Sequence, residues 1–280
     1  RFVPFLKIED NHEYTIEKLG DYYYIHTNWQ AKNFRLMRVN KDTTSDKSSW
    51  QPVIEHREGV YLQDFTIFKN AAVIKEKENG ENRIKVLLFN TGKILELKFD
   101  DPVFSIRIAD NPEVSSDVVR IDYSSLTTPP SVYEYKLING ERKLLKQDKV
   151  MGEFSSINYR SERIFIEARD DSKVPVSIVY RKNLFKKDGS NPLFQYAYGS
   201  YGATIDPSFS GARLSLLDRG VIFVIAHVRG GQMLGRPWYD DGKLFNKKKS
   251  FLDFIDVTKG LAKKKYAHPN KIYAMGGSAG

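Results

Sequence analysis

The stretch YAMGGSAG, residues 273–280, decides the fold of the second half of the chain. Its last five residues match the pattern G-x-S-x-G, in which a serine, here Ser278, occupies a sharp turn between a strand and a helix. Such a turn holds the serine hydroxyl exposed above a sheet, and its strained backbone favours small neighbours. Because so short a pattern also arises by chance, its meaning depends on the elements that precede it.

Alternating strands and helices are predicted before this turn. The runs ERIFIEA (162–168) and VPVSIVYR (174–181) predict an antiparallel hairpin. The elements that follow are predicted as strand, helix, strand, helix and strand, at 193–198, 209–220, 221–228, from Ser250 onward, and at 271–275. Alternation of this kind predicts a parallel sheet with helices on both faces. An initial hairpin followed by the alternation is the strand order of the α/β-hydrolase sheet.

The second predicted helix has a start signal and an apolar stripe. Ser250 and Asp253 match a capping box, so we expect the helix to begin at Ser250. The expected apolar stripe consists of Phe251, Phe254, Ile255, Leu261 and Ala262.

The first part of the chain repeats weakly. Three β-rich runs end at Asn40, Asn90 and Asn139, and an apolar strand precedes each of them. A period of about 40–50 residues with several short strands is typical of β-propeller blades. The pairs Thr91-Gly92 and Asn139-Gly140 provide hairpin turns. A β-sandwich with chance spacing is the alternative. Three blades cannot close a ring, so we expect further blades upstream, or a fragment.

Composition limits the remaining choices. With 280 residues, 41% of them hydrophobic, the chain is long enough for two domains, which we place at 1–154 and 155–280. It has no cysteine, which excludes disulfides and thiolate chemistry and fits a cytoplasmic protein. No apolar run is long enough to span a membrane, so no membrane partner is expected. The sequence implies no metal and no organic cofactor.

The net charge of +9 raises the question of an anionic partner such as nucleic acid. The lysine runs at 247–249 and 263–265 flank a predicted helix and are not interleaved with aromatic residues. Such runs usually coat a solvated helix face. We therefore expect no nucleic-acid partner.

A nucleophilic Ser278 requires a base and an orienting carboxylate. In α/β-hydrolases these follow the serine along the chain, yet all five histidines of this chain precede it. We therefore expect both groups beyond Gly280, in a catalytic domain that the chain leaves unfinished. The backbone N–H of Ala279 is a predicted oxyanion donor. The stretch YAYGSYG (196–202) offers the Tyr198 hydroxyl as the second donor, unless its tyrosines only pack.

Six stretches together resemble the prolyl oligopeptidase family of serine peptidases, and most closely its oligopeptidase B branch. The resemblance spans nearly the whole chain and is densest after residue 155. The stretches are DYSSLTTPPSVYEY (122–135), YRSERIFIEARDDSKVPVSIVYRK (159–182), YGSYGATIDPSFSGARLSLLDRG (198–220), IAHVRGG (225–231), WYDDGKLFNKKKSF (238–251) and YAMGGSAG.

This resemblance implies a seven-bladed propeller that caps an α/β-hydrolase domain and short peptides as substrates, cleaved after Arg or Lys in the oligopeptidase B branch. It also implies the C-terminal blades of that propeller in this chain, Ser278 as nucleophile, and an oxyanion hole of Tyr198 and the Ala279 amide. Asp206 matches an acidic position that binds basic substrates, but its usual acidic neighbour is replaced by Ser208. The family usually has Gly and Glu after its RGG run, and this chain has Gln232 and Met233.

Two alternatives remain open at this point. One is a prolyl oligopeptidase with specificity for Pro. The other is a non-catalytic propeller that serves as a binding platform. The sequence does not predict an oligomeric state.

Overall fold

The computed structural model describes residues 4–280 of the chain. Short strands dominate the first part of this range and alternate with helices in the second part, as the sequence predicts. Single turns of 3-10 helix occur at Lys47–Ser49, Ser156–Asn158 and Leu244–Asn246.

Three four-stranded sheets follow one another in the first part. The first contains β1 Tyr14–Leu19, β2 Tyr22–Thr27, β3 Arg35–Asn40 and β4 Gln51–Ile54. The second contains β5 Val60–Phe68, β6 Ala71–Glu78, β7 Glu81–Leu88 and β8 Ile94–Glu96. The third contains β9 Phe104–Ile108, β10 Val118–Ser125, β11 Ser131–Lys136 and β12 Arg142–Gln147. Within each sheet the strands are hydrogen-bonded in chain order.

The repeat read from the sequence corresponds to these sheets. The two strands predicted in each repeat are the second and third strands of a sheet, namely β2 and β3, β6 and β7, and β10 and β11. Gly92 and Gly140 lie in the turns that follow β7 and β11, with φ of 67° and 71°. Because a residue without Cβ adopts positive φ easily, glycine suits both turns.

The sheets lie at the N-terminal, not the C-terminal, end of the chain. Within residues 4–280 no strand pairing closes them into a ring. The first two sheets share one apolar cluster, in which Tyr24 and Leu36 of the first pack with Phe65, Ala72 and Ile74 of the second. These two sheets therefore bury apolar side chains against each other, as stacked blades do.

The second part contains a single five-stranded sheet. Its elements are β13 Tyr159–Glu167, β14 Lys173–Arg181, β15 Leu193–Tyr196, α1 Gly211–Leu217, β16 Ile222–Ala226, α2 Arg236–Asp240, α3 Lys248–Lys263 and β17 Ile272–Met275. The strand order is β13-β14-β16-β15-β17. The first two pairs are antiparallel, whereas β15 runs parallel to both β16 and β17. The predicted hairpin and parallel strands are thus confirmed, and the short helix α2 was not foreseen.

Alternate residues of the central strands face two different helices. Ile178 of β14 and Val224 of β16 belong to a cluster with Val257 of α3. Phe223 of β16 belongs to another cluster, with Leu217 of α1. Because side chains alternate along a strand, both faces of β16 are covered, which explains its continuous apolar sequence.

The expected start of the second long helix was wrong. Helix α3 begins at Lys248, and Ser250 lies inside its first turn. The Ser250 hydroxyl donates to the carbonyl of Arg229 at 2.6 Å, and Asp253 accepts hydrogen bonds from the Arg229 guanidinium. The two side chains are therefore used in tertiary contacts instead of a capping box. Of the residues expected in the apolar stripe of this helix, Leu261 is buried as predicted, whereas Phe251 is 55% exposed.

Contacts divide the chain into two units. The first comprises residues up to Lys98, with Arg107–Ile121 and Glu134–Lys143. The second comprises Phe99–Ile106, Asp122–Tyr133 and Leu144–Gly280. The assignment of domains to 1–154 and 155–280 stays a prediction.

One glycine of α3 provides a test of how tightly this helix packs on the sheet. A Cβ on Gly260 would overlap the Cγ2 of Ile166, a fully packed β-branched side chain of β13. Alanine normally stabilises a helix over glycine by about 1 kcal/mol, whereas overpacking costs about 1–3 kcal/mol. We expect Gly260→Ala to lower the free energy of unfolding by about 1 kcal/mol in denaturant titrations.

The matched control is Gly211→Ala in α1, where nothing lies within 4 Å of the new Cβ. We expect this variant to be as stable as the parent or slightly more stable. If Gly260→Ala were the more stable of the two, the close contact between α3 and β13 would be refuted.

Candidate active site

The turn after β17 carries the serine of the G-x-S-x-G pattern. Ser278 has φ of +56°, a left-handed backbone conformation that residues with a Cβ rarely adopt. The N–H of Gly280 donates to the carbonyl of Gly277 at 2.8 Å and closes the turn. Ser278 is exposed, as predicted for a serine held above the sheet.

At two of the three glycines in this turn, a side chain would clash with neighbouring backbone atoms. A Cβ on Gly276 would lie 2.5 Å from the carbonyl carbon of Gly280. A Cβ on Gly280 would lie 2.8 Å from the carbonyl oxygen of Ala197. Gly277 has no atom within 4 Å of a new Cβ, so the expected crowding is absent there.

The sheet places this turn beside the segment that follows β15. Strand β17 pairs in parallel with β15, with Met275 opposite Tyr196, so the carboxyl ends of both strands lie together. A cavity of about 340 Å³ opens there. Tyr198, Gly276 and Ala279 line it, together with apolar side chains of α3. The structure thus brings two of the predicted site residues, Tyr198 and Ala279, to one cavity.

The groups predicted as oxyanion donors belong to two residues that line this cavity, and in the described part of the chain both groups lack a protein acceptor. Within residues 4–280, neither the Tyr198 hydroxyl nor the Ala279 amide donates a hydrogen bond to a protein group. Tyr198 is half-buried and lines the cavity. Ser278 is adjacent in the chain to Ala279 but is not itself part of the wall.

The loops after β15 and β16 approach each other closely. The N–H of Gly202 donates to the carbonyl of Gly230 at 3.0 Å. A Cβ on Gly230 would collide with the carbonyl oxygen of Gly199. The Gln232 side chain donates to the carbonyl of Gly202 at 3.0 Å. Gln232 does not have a positive φ, and its side chain connects the two loops.

A buried ion cluster fixes the loop after β16. Arg229 and Asp253 are 3% and 0% exposed, and the guanidinium donates to both carboxylate oxygens at 2.5 and 2.9 Å. The same guanidinium donates to Asp170 at 2.7 Å and to Asp241 at 2.9 Å. Burial alone would lower the pKa of Arg229, but the hydrogen bonds to these three carboxylates outweigh it and raise the pKa.

Sequence reasoning missed this cluster. Its four members are distant along the chain, and only the position of Arg229 directly after an apolar strand is unusual in the sequence.

Asp206, the predicted substrate contact, lies away from the cavity wall. It is half-buried in the loop between Gly202 and α1. The Phe209 amide donates to the Ser124 hydroxyl at 2.9 Å, and Arg213 donates to the carbonyl of Ser208 at 2.8 Å. These contacts hold the loop, but the structure does not bring Asp206 to the residues that line the cavity.

The two histidines nearest the site in sequence have structural contacts, as expected. His227 is buried, and its Nε2 lies 2.7 Å from the Ser177 hydroxyl. The Nδ1 of His268 accepts a hydrogen bond from the amide of Asn270 at 3.2 Å.

In residues 4–280, no group of three or more His, Asp or Glu side chains is arranged to hold a metal ion. The helices in the described part of the chain are too short or too polar to cross a membrane.

The buried pair can be tested by removing one charge. Asp253→Asn keeps the size of the side chain but leaves Arg229 without its fully buried counter-charge. We expect this variant to lose about 3 kcal/mol of unfolding free energy, because removing one partner of a buried pair leaves the other uncompensated. Asp241 is 41% exposed, so we expect Asp241→Asn to lose less than about 1 kcal/mol. Denaturant unfolding of both variants measures the difference, and equal losses would contradict this assignment.

Two family models match the chain. The model described as "Prolyl oligopeptidase, N-terminal beta-propeller domain" matches residues 1–148. The model described as "Prolyl oligopeptidase family" matches residues 207–280. The first match covers the three four-stranded sheets, which identifies them as propeller, and the second covers the G-x-S-x-G turn.

Named relatives resemble the chain over almost its whole length. Dipeptidyl aminopeptidase BI of Pseudoxanthomonas mexicana is 44% identical over 96% of this chain and 37% of its own length. Protease 2 of Moraxella lacunata is 38% identical over 95% of this chain and 38% of its own length. The solved structure of oligopeptidase B from Trypanosoma brucei, closed and with covalently bound antipain, has a TM-score of 0.90 at 33% identity. That match covers 97% of this chain and 39% of the other.

The chain therefore spans less than two-fifths of each of these relatives. A propeller domain comes first, and the start of the hydrolase domain follows it. With both parts matched in this order, the chain belongs to the prolyl oligopeptidase family.

Proposed function

We propose that the chain is part of a serine peptidase that hydrolyses short peptides after Arg or Lys, with Ser278 as its nucleophile. One observation carries the proposal: Ser278 has a left-handed backbone in a closed turn at the carboxyl end of β17. Strained residues with a Cβ persist only where the surrounding structure forces them, and they cluster at active sites.

The reaction we propose is acyl transfer. Ser278 Oγ attacks the peptide carbonyl carbon while a general base takes its proton, and the carbonyl oxygen becomes an oxyanion. The Tyr198 hydroxyl and the Ala279 amide donate hydrogen bonds to that oxyanion. A single donor of this kind is worth about 3–4 kcal/mol in the transition state. The amine leaves with a proton, and water then hydrolyses the serine ester. The base and its acid are not assigned to residues of this chain.

The preference for basic residues rests on two supports. Oligopeptidase B of Trypanosoma brucei is similar in fold and sequence. Asp206 supplies a half-buried carboxylate in the loop after Gly202, and we propose that it binds a basic side chain of the peptide outside the cavity. The replacement of the acidic neighbour by Ser208 leaves Asp206 with one fewer negative charge beside it.

The proposed enzyme has a two-domain plan. We propose that residues 1–154 form the last blades of the propeller and residues 155–280 the first half of the α/β-hydrolase domain. In such a plan the propeller caps the catalytic domain and limits substrates to short peptides.

A second candidate function is the release of dipeptides from the amino end of a peptide. It is favoured by the 44% identity to Dipeptidyl aminopeptidase BI. An enzyme of this kind requires a free amino group two residues before the cleaved bond, whereas an endopeptidase accepts a blocked one.

The test is hydrolysis of matched fluorogenic peptides by the complete protein. The peptides end in Arg, Lys or Pro before the fluorophore, and each is made with a free and with a blocked amino terminus. We expect cleavage of blocked Arg and Lys peptides that is lost in Ser278→Ala. An exposed serine elsewhere, Ser155, provides the control variant Ser155→Ala, which should retain full activity.

The other outcomes separate the alternatives. Cleavage of free peptides only would favour the dipeptidyl function. Cleavage after Pro would keep Ser278 as nucleophile and change the specificity. Activity that persists in Ser278→Ala would refute the proposed nucleophile, and no cleavage of any peptide would favour the binding-platform alternative.

A further inference from the structure

Lys247 reaches from the start of α3 to the segment that carries Tyr198. Its ammonium donates to the carbonyl of Gly199 at 2.6 Å and to the hydroxyl of Ser200 at 2.6 Å. Gly199 is the residue directly after Tyr198. Lys247 and Tyr198 also line the same cavity. The lysine is therefore bonded to the backbone beside the proposed oxyanion donor.

The ammonium of Lys247 binds the segment that follows Tyr198 and does not pair with a carboxylate among residues 4–280. In the described part of the chain no carboxylate forms an ion pair with it, and burial lowers its pKa. The nearby Lys243 and Lys249 instead pair with Asp240 and Asp241. Burying an ammonium disfavours its charged form, and ordering a lysine side chain costs up to about 2 kcal/mol of entropy. Hydrogen bonds to a charged donor are the strong ones, so the two contacts offset this cost.

The carbonyl that Lys247 binds belongs to a glycine with a left-handed backbone. Gly199 has φ of +66°, and glycine reaches several other backbone regions at little cost. Without Lys247, the carbonyl of Gly199 would keep only the packing of Gly230 and the longer contact from Ser250, so the peptide plane beside Tyr198 would be less restrained. The Ser250 hydroxyl is 3.4 Å from the same carbonyl, a longer and weaker contact than that of Lys247.

We propose that Lys247 is a positioning residue of the peptidase. By holding the carbonyl of Gly199 and the hydroxyl of Ser200, it orients the Tyr198 hydroxyl toward the cavity that Ala279 also lines. This inference rests on the proposed function, because it gives Tyr198 its role in the reaction. Lys247 acts through Tyr198, because its ammonium is used in the hydrogen bonds to Gly199 and Ser200.

The first measurement is steady-state hydrolysis of the preferred peptide by the complete protein. We expect Lys247→Met, which keeps the apolar stem, to lower kcat about tenfold or more with KM changed less than about twofold, because a misplaced donor weakens transition-state binding only. Lys247→Arg should recover part of kcat, since a guanidinium also donates to carbonyl oxygens. The control is Lys248→Met, an exposed neighbour that should have parental kcat.

A double-mutant cycle tests whether the effect passes through Tyr198. In a Tyr198→Phe background the hydroxyl is already absent, so Lys247→Met should then change kcat less than about twofold. An equal loss of kcat in both backgrounds, or no loss in the single variant, would overturn the proposal. General destabilisation would add to the Tyr198→Phe loss and is therefore distinguishable.

Hydrogen exchange of the 196–202 segment provides a readout that needs no activity. Exchange should be faster in Lys247→Met than in the parent and unchanged in Lys248→Met. If no Ser278-dependent hydrolysis exists, the proposed function fails and the positioning of a catalytic donor fails with it. In that case faster exchange would still support the contact with Gly199 and Ser200, and unchanged exchange would refute it.

Discussion

Close backbone contact at the carboxyl ends of three parallel strands constrains the entire candidate site. The turn after β17 contacts Ala197 after β15, and the loop after β16 contacts Gly199. Glycines at these points let the three segments approach without Cβ atoms between them. This close approach also brings together the groups proposed for catalysis. The left-handed Ser278 and the Ala279 amide follow β17, whereas Tyr198 follows β15, yet all three lie within one region of the sheet edge.

Electrostatics secure the other side of this arrangement. Arg229, in the loop after β16, is bound by carboxylates from the β13–β14 turn, from the end of α2 and from α3. A buried ion pair adds little net stability compared with apolar packing, but breaking it is costly. The cluster thus acts mainly to specify position: one guanidinium fixes three chain segments relative to the loop that packs on Gly199. Lys247 is a second cation that fixes a chain segment. It binds a carbonyl and a hydroxyl directly after Tyr198, where Arg229 binds carboxylates.

Local sequence patterns predicted most strands and helices of this fold. They did not predict which distant residues bind one another. The apolar run of β16 depends only on both of its faces being covered, so this part of the sheet could be predicted from the sequence. Ser250 and Asp253 matched a capping box, but their partner Arg229 lies over twenty residues away and takes both side chains. Lys247 belongs to a run of three lysines, and nothing in the sequence separates it from Lys248. The roles of Ser250, Asp253 and Lys247 depend on residues that are close in space but distant in the sequence, so local patterns do not reveal them.

The central claim is that the strained turn makes the Ser278 hydroxyl a nucleophile. Labelling of the complete protein with a fluorophosphonate, followed by mass spectrometry of its peptides, tests it most directly. The account predicts stoichiometric phosphonylation on the peptide that contains Ser278, with other exposed serines such as Ser155 unmodified. Labelling at another serine, or equal labelling of the native and the denatured protein, would contradict it.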